Sequence, residues 1–412
     1  GWNISKEKFF NIQEIDLLKL RASYGYLGNQ QISNYLFFSR VPIYSNLGWL
    51  INSDRPNYIG TPGLISDKLT WATAKTTDFG LDVQALNNRL DLSFDWYVRN
   101  TIDMIGPANA LPAVLGASVP QTNNADMKTT GFELTVGWRG LLRNEFGYNV
   151  RLTLSDYISE ITKYNNPNKL LSTYYEGQKL GEIWGYETVG IIQSEEQLKN
   201  MADQREFINR NPWHVGDIEY RDLNKDGKIS PGDRTYANPG DLRVIGNNTP
   251  RYSFGLSFGL DWKSVDFNMF WQGILKRDVW LGDIPFFGIT GSWTQQVYET
   301  TTDYWSESNK DAYFARPYAS GEITKNQLVQ TRFLQNAAYG RLKNVQLGYT
   351  LPQTISSVAK LQRVRVYLNG ENLFYFSGID ENFDPERVSG GWGNGKTYPL
   401  FKTYTAGINI TF

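Results

Sequence analysis

The stretch with the most explicit chemistry is "DLNKDGKISPGD", Asp222 to Asp233. It follows the pattern D-x-N-x-D-G with an acidic residue at the twelfth position. A hard cation such as Ca²⁺ takes roughly six to eight oxygen ligands. Asp222, Asn224 and Asp226 would offer side-chain oxygens, Lys228 its main-chain carbonyl and Asp233 a last carboxylate, while Gly227 permits the sharp turn. The final ligand is Asp rather than the longer, bidentate Glu, and the flanks "VGDIEYR" and "RTYANPG" are not helical, so this is not a helix-loop-helix calcium sensor. The expectation is a structural ion, Ca²⁺ in the first place, that stiffens a loop. The alternative is a solvated loop of Asx turns.

Other reactive groupings are sparse. The chain has no cysteine, so it offers neither a disulfide framework nor a thiolate metal site. Its one histidine, His214 in "NPWHVGD", reads as a loop residue without partners of its own kind. No Ser/His/Asp, Cys/His or Gly-rich phosphate motif is present, so nothing argues for an enzyme. Trp184, Tyr186, Trp213, Trp293 and Trp305 lie in long loops, where rings can stack on sugar faces or peptide side chains, or simply pack the loops. The 41 basic and 42 acidic residues nearly cancel, which gives no broad basic surface for nucleic acid.

The elements that must hold such groups are strands. "RLDLSFDWYV" sets Leu90, Leu92, Phe94, Trp96 and Val98 against Arg89, Asp91, Ser93, Asp95 and Tyr97, and "RVRVYLNGEN" sets Val364, Val366 and Leu368 against Arg363, Arg365, Asn369 and Glu371. About ten such segments are expected: 15–27, 69–86, 89–105, 125–142, 146–160, 250–263, 264–276, 336–350, 363–376 and 400–412. Tight turns alternate with long excursions at 28–68, 106–124, 161–249, 277–335 and 377–399, and the intermediate stretch 351–362 is expected to hold one helical turn. No run of about 18 apolar residues could cross a bilayer as a helix. The aromatic fraction of 15% suits rings placed at a membrane interface or against sugars.

A meander with short turns at one end and long loops at the other is the pattern of an outer-membrane barrel, whose apolar face meets lipid and whose polar face lines the lumen. A soluble sandwich would bury the apolar face but has no reason to carry charges at mid-strand opposite it, nor to alternate its loop lengths. The fold class expected is therefore all-β, a transmembrane antiparallel up-and-down β-barrel. The end "YTAGINITF" keeps Tyr404, Ala406, Ile408, Ile410 and Phe412 on one face and stops in mid-strand, as a strand that closes a barrel would.

On "YGRLKNVQLGYTLP" (339–352), "VRVYLNGENLF" (364–374), "DPE" (384–386) and "YPLFKTYTAGINITF" (398–412), the chain resembles the C-terminal region of the SusC/RagA-type TonB-dependent transporters. "LKLRASYGYLGNQ" (18–30), "LTWATAKTTDFGLDVQALNNRLDLSFDWYVRNT" (69–101) and "TTGFELTVGW" (129–138) look like earlier strands of the same family. The resemblance implies a barrel of about 22 strands, of which these would be the C-terminal part, with an N-terminal plug domain that this chain lacks. It also implies active import of oligosaccharides or peptides across the bacterial outer membrane, a SusD-like surface lipoprotein as lid, and a TonB complex acting through the plug. By the same resemblance Tyr404, Ile408, Ile410 and Phe412 form the signal read by the barrel-assembly machinery, and the acidic loop at 222–233 matches one in the family. Two alternatives remain: a complete small barrel, passive or with an enzyme site in its loops, and a soluble carbohydrate-binding β-sandwich.

Overall fold

Wherever apolar and polar residues alternate, the backbone pairs. The structure, a computed structural model, describes residues 1–412 apart from 30–37, 47, 67–68, 107–119, 144, 206–211, 291–296, 389–395 and the side chain of Ala359. Its strands in chain order are β1 (Trp2–Asn3), β2 (Ile15–Asn29), β3 (Ile43–Tyr44), β4 (Tyr58–Ile59), β5 (Ala72–Ala85), β6 (Leu90–Ile105), β7 (Asn123–Leu142), β8 (Phe146–Tyr164), β9 (Glu182–Tyr186) and β10 (Thr188–Ile191). They continue with β11 (Ile218–Tyr220), β12 (Leu242–Asn247), β13 (Arg251–Trp262), β14 (Val265–Lys276), β15 (Asp278–Val279), β16 (Gln335–Thr350), β17 (Arg363–Gly378) and β18 (Thr403–Thr411).

One 12-stranded antiparallel sheet runs β1-β2-β5-β6-β7-β8-β13-β14-β16-β17-β18, with β15 added beside β16. Setting aside the two-residue β1 and β15, its members are the expected segments, displaced at their ends by a few residues. The stretches 69–71 and 400–402, expected as strand, are not part of it. The expected helical turn after β16 is α1 (Gln353–Ser356), extended by a 3-10 turn at Ser357–Ala359. Within the main sheet each long strand pairs with the next long strand along the chain, the short strands β3–β4 and β9–β12 pairing apart in the excursions, which is the meander that short and long connections require. At the β5–β6 turn, Leu86, Asn87 and Asn88 all have positive φ, a conformation that Asn tolerates better than most residues. Among the described residues the outer edge of β18 has no paired strand.

The two faces of the sheet differ as the alternation demands. Leu347, Val366, Leu368, Phe94 and Trp96 stand exposed on one face. Rings gather on it at two levels. Near the short turns, Phe146 stacks on Trp262 at 5.2 Å and the Trp138 indole N–H donates to the Tyr148 hydroxyl at 3.1 Å. Near the long loops, Trp271 packs against Phe374 at 6.1 Å and Phe376 at 6.0 Å. Tyr349 shares the short-turn level and Gly340, opposite Phe376, the upper one. That span of β16 covers about 30 Å along the strand, hence about 23 Å along a barrel axis at a tilt of about 40°. The height fits the apolar band of an outer-membrane barrel, about 25 Å between its aromatic girdles.

Candidate functional site

The polar face of the sheet is built from charges that reach across glycines. Arg21, Gly80 and Asp95 are direct neighbours in one row of three strands. Arg21 lies 2.6 Å from Asp95 and 2.8 Å from Asp82. A Cβ on Gly80 would stand 2.4 Å from the Asp95 carboxylate and 2.5 Å from the guanidinium carbon of Arg21. A second row repeats the device, with Asp91, Gly137 and Arg151 in register and the ion pair spanning the glycine at 3.1 Å. In a third place Arg365 on β17 pairs with Asp266 on β14 over Gly348 of β16, where a Cβ would clash with both side chains. Strands stand about 4.8 Å apart, so a second-neighbour pair spans roughly twice that, which Arg can bridge only where the strand between presents no side chain. The result is a polar wall on which these three arginine–aspartate pairs are compensated in place.

Over the loop end of this wall the excursions fold into a layer with its own core. Ile192, Trp213, Ile218 and Tyr220 of 161–249, Phe286, Phe287, Phe314 and Phe333 of 277–335, and Ile379, Phe383 and Val388 of 377–399 are buried in a single cluster. Rings dominate it; Phe286 meets Phe287 at 4.9 Å and Phe314 at 5.7 Å. Beside it lies a fully buried ion pair, Lys325 Nζ to Asp217 Oδ2 at 2.8 Å, both side chains 0% exposed. Lys325 also donates to the Pro212 carbonyl at 2.6 Å and sits 4.4 Å from the centre of the Tyr318 ring. Asp217 accepts from the Tyr318 hydroxyl, the Asn326 amide and the His214 main-chain N–H, each at 2.8 Å. Burial, reinforced by Asp217, holds the Tyr318 phenol well above its ordinary range, and burial lifts Tyr186 to about 12. Both phenols remain neutral, and that of Tyr318 donates to Asp217.

A second clamp ties the layer to the wall. Arg341 of β16, 1% exposed, points to Asp384 at 2.7 Å and to Glu386 at 2.9 Å, and Lys343 adds a contact to Glu386 at 3.1 Å. Asp384 further accepts from the main-chain N–H of Leu400 at 2.9 Å and of Glu386 at 3.0 Å. Burial would raise its pKa, but these main-chain donors and Arg341 outweigh that and hold the carboxyl below the usual range.

The loop aromatics divide. Tyr186, Trp213 and Trp305 are buried in the cluster, where the Trp213 indole donates to the Gln204 carbonyl at 3.0 Å and that of Trp305 to Gln193 at 3.1 Å. They are packing rings of the layer, and a substrate could reach them only by parting it. Trp184 is half-buried beside Tyr236, their rings 6.3 Å apart. Trp293 lies outside the described residues. Tyr404, Ile408, Ile410 and Phe412 are exposed at β18 and the residue after it.

Within the 222–233 loop the side chains turn back on the main chain. Asp222 accepts from the N–H of Lys225 and Gly227 at 2.6 and 2.9 Å, Asn224 from that of Asp226 at 3.1 Å, and Asp226 from that of Lys228 at 2.8 Å. Asp233 is turned to the Asn238 amide at 2.8 Å. Among the described residues no group of three or more His, Asp or Glu side chains is close enough to hold a metal ion. As placed, the side chains of Asp222, Asn224 and Asp226 accept main-chain N–H groups, and Asp233, the fifth expected ligand, faces Asn238. The residue that fixes the loop escaped sequence reasoning. Asp241, 0% exposed, accepts from Leu223 N at 2.8 Å and Ser230 N at 2.7 Å, drawing the two sides of the turn together. Asp217, Lys325 and Arg341 were equally invisible, because the partner of each stands far along the chain.

Comparison with known proteins places this architecture. The family model described as "TonB dependent receptor-like, beta-barrel" matches residues 13–373. The TonB-dependent receptors P3 and P26 of Formosa agariphila are 27% and 26% identical to the chain over all of its length. The RagAB peptide transporter superposes with a TM-score of 0.77 at 25% identity over 100% of the chain. The chain spans 41% and 42% of the two receptors' lengths and 42% of that transporter chain.

Proposed function

Because the chain belongs to the TonB-dependent receptor β-barrel family, and is thus part of an outer-membrane barrel, we propose that it forms the C-terminal wall and outer loops of an active nutrient importer. The cargo class on this reading is oligosaccharides or peptides, admitted when a TonB complex acts on a plug carried elsewhere in the protein, with a SusD-like surface lipoprotein as lid. The observation that carries it is the pairing of a charge-compensated polar wall with a separately cored loop layer. A wall on which Arg21, Arg151 and Arg365 each cancel against an aspartate presents no cluster of one sign at those rows. It offers hydrogen bonds to bulky neutral or zwitterionic cargo, as oligosaccharides and peptides are. The likeness to the RagAB peptide transporter supports the same reading.

The test is uptake of labelled oligosaccharide and peptide pools by cells carrying the full-length protein. Import of one pool that stops when the proton gradient is collapsed supports the proposal. Uptake that persists without the gradient speaks for a passive pore. A structural Ca²⁺ at 222–233 is proposed on the spacing of Asp222, Asn224 and Asp226 alone. It requires Asp233 to leave Asn238, and protection of the loop from protease by calcium, reversed by chelation, is its test.

A further inference from the structure

The loop layer contains an apolar cavity of about 120 Å³, walled by Phe287, Ile289, Pro317, Ile323, Phe314 and Phe333. Val297 and Tyr304, both exposed, stand at its mouth. Three polar side chains on the wall already hold partners. Thr301 Oγ1 donates to the Tyr298 carbonyl at 2.9 Å, the Gln327 amide donates to the Ile289 carbonyl at 2.6 Å, and Asn326 holds Asp217 and the Ile218 N–H at 2.8 and 2.9 Å.

This lining discriminates between the two cargo classes. A sugar ring placed here would leave hydroxyls stripped of water without partners, a cost of a few kcal/mol for each. An apolar side chain loses nothing. The size is specific too, since an apolar cavity of about 150 Å³ holds a benzene molecule. This one therefore fits a single branched aliphatic side chain or, closely, a phenyl ring. We propose that the cavity is an anchor subsite for one bulky apolar side chain of a peptide, so that the cargo is peptide rather than glycan. The inference rests on the import reading and narrows it.

The experiment offers a tryptic digest of casein, and separately a starch-derived oligosaccharide, to the purified full-length protein and identifies what is retained by mass spectrometry. It compares wild type with Ala315→Leu, which fills the cavity from its wall, and with Val297→Asp, which charges the exposed mouth and leaves the packed rings untouched. Peptides retained by wild type should be enriched about tenfold or more in Leu, Ile, Val or Phe at one position, the advantage of burying one such side chain. Val297→Asp should reduce that enrichment to within about twofold of the digest while the variant keeps wild-type heat-modifiable gel mobility. Retention without apolar preference, or an unchanged preference in Val297→Asp, overturns the subsite and leaves the import reading standing. Retention of the oligosaccharide and no peptide also overturns it. Failure of the import reading shows separately, as uptake indifferent to the proton gradient.

Discussion

Arg21 and Asp95 meet at 2.6 Å over Gly80, although a whole strand lies between them. The same crossing joins Arg151 to Asp91 over Gly137 and Arg365 to Asp266 near Gly348. Mid-strand glycine ordinarily weakens a sheet. Here its missing side chain is the space in which second-neighbour charges pair, and the polar wall depends on it.

Gly80→Ala should therefore disturb the wall, because its Cβ would press on both partners, whereas Gly25→Ala on β2 meets nothing within 4 Å. Overpacking of this kind costs about 1–3 kcal/mol. Thermal loss of the compact gel form should fall in temperature for Gly80→Ala and not for Gly25→Ala. Equal behaviour of the two would refute the role given to the glycine.

Lys325→Met should loosen the loop layer by about 3–5 kcal/mol, since it leaves Asp217 buried without its cation. The barrel wall does not depend on this pair. Limited proteolysis should cut within 161–249 and 277–335 while the wall keeps its heat-modifiable mobility. Wild-type resistance of both loops would show that the pair is dispensable.

The clamp on Asp384 gives a pH dependence of definite sign. Its pKa is depressed in the folded protein, so its contribution is complete above the ordinary Asp value of about 3.9 and disappears as pH falls through the lower, folded value. Pepsin cleavage within 377–399 should therefore stay slow near pH 4 and accelerate below it. Asp384→Asn should remove that step and leave cleavage fast across the acid range. A wild-type profile that rises above pH 4 would contradict the assignment.

The barrel strands were legible in the sequence because alternation is a local property; a face is written in every second residue of β6 or β17. The connection that holds α1 and the turn residues were legible for the same reason. The loop layer was not. For Trp213 and Trp305 both cargo stacking and loop packing stood open, and only the tertiary packing of three separate excursions shows them inside a core. The acidic loop carried a local cation pattern, yet the group that closes it is Asp241, outside that pattern. Gly80 likewise has no meaning until Arg21 and Asp95 are placed on either side of it.

The orientation of the wall is the central claim, and one comparison tests it most directly. Leu368 stands 64% exposed on the apolar face of β17, while its neighbour Asn369 faces the other way and accepts from the Asn344 amide at 2.9 Å. Arginine on the lipid face costs about 2–4 kcal/mol at the membrane midplane and less toward the girdles, whereas a lumen position tolerates it; Leu368, opposite Leu347, lies between the midplane and the short-turn girdle. The measurement is the outer-membrane level of the full-length protein, read with its heat-modifiable mobility, for Leu368→Arg against Asn369→Arg. A large loss for Leu368→Arg with near-normal levels for Asn369→Arg is the predicted result. Equal tolerance of both, or a greater loss for Asn369→Arg, would contradict it.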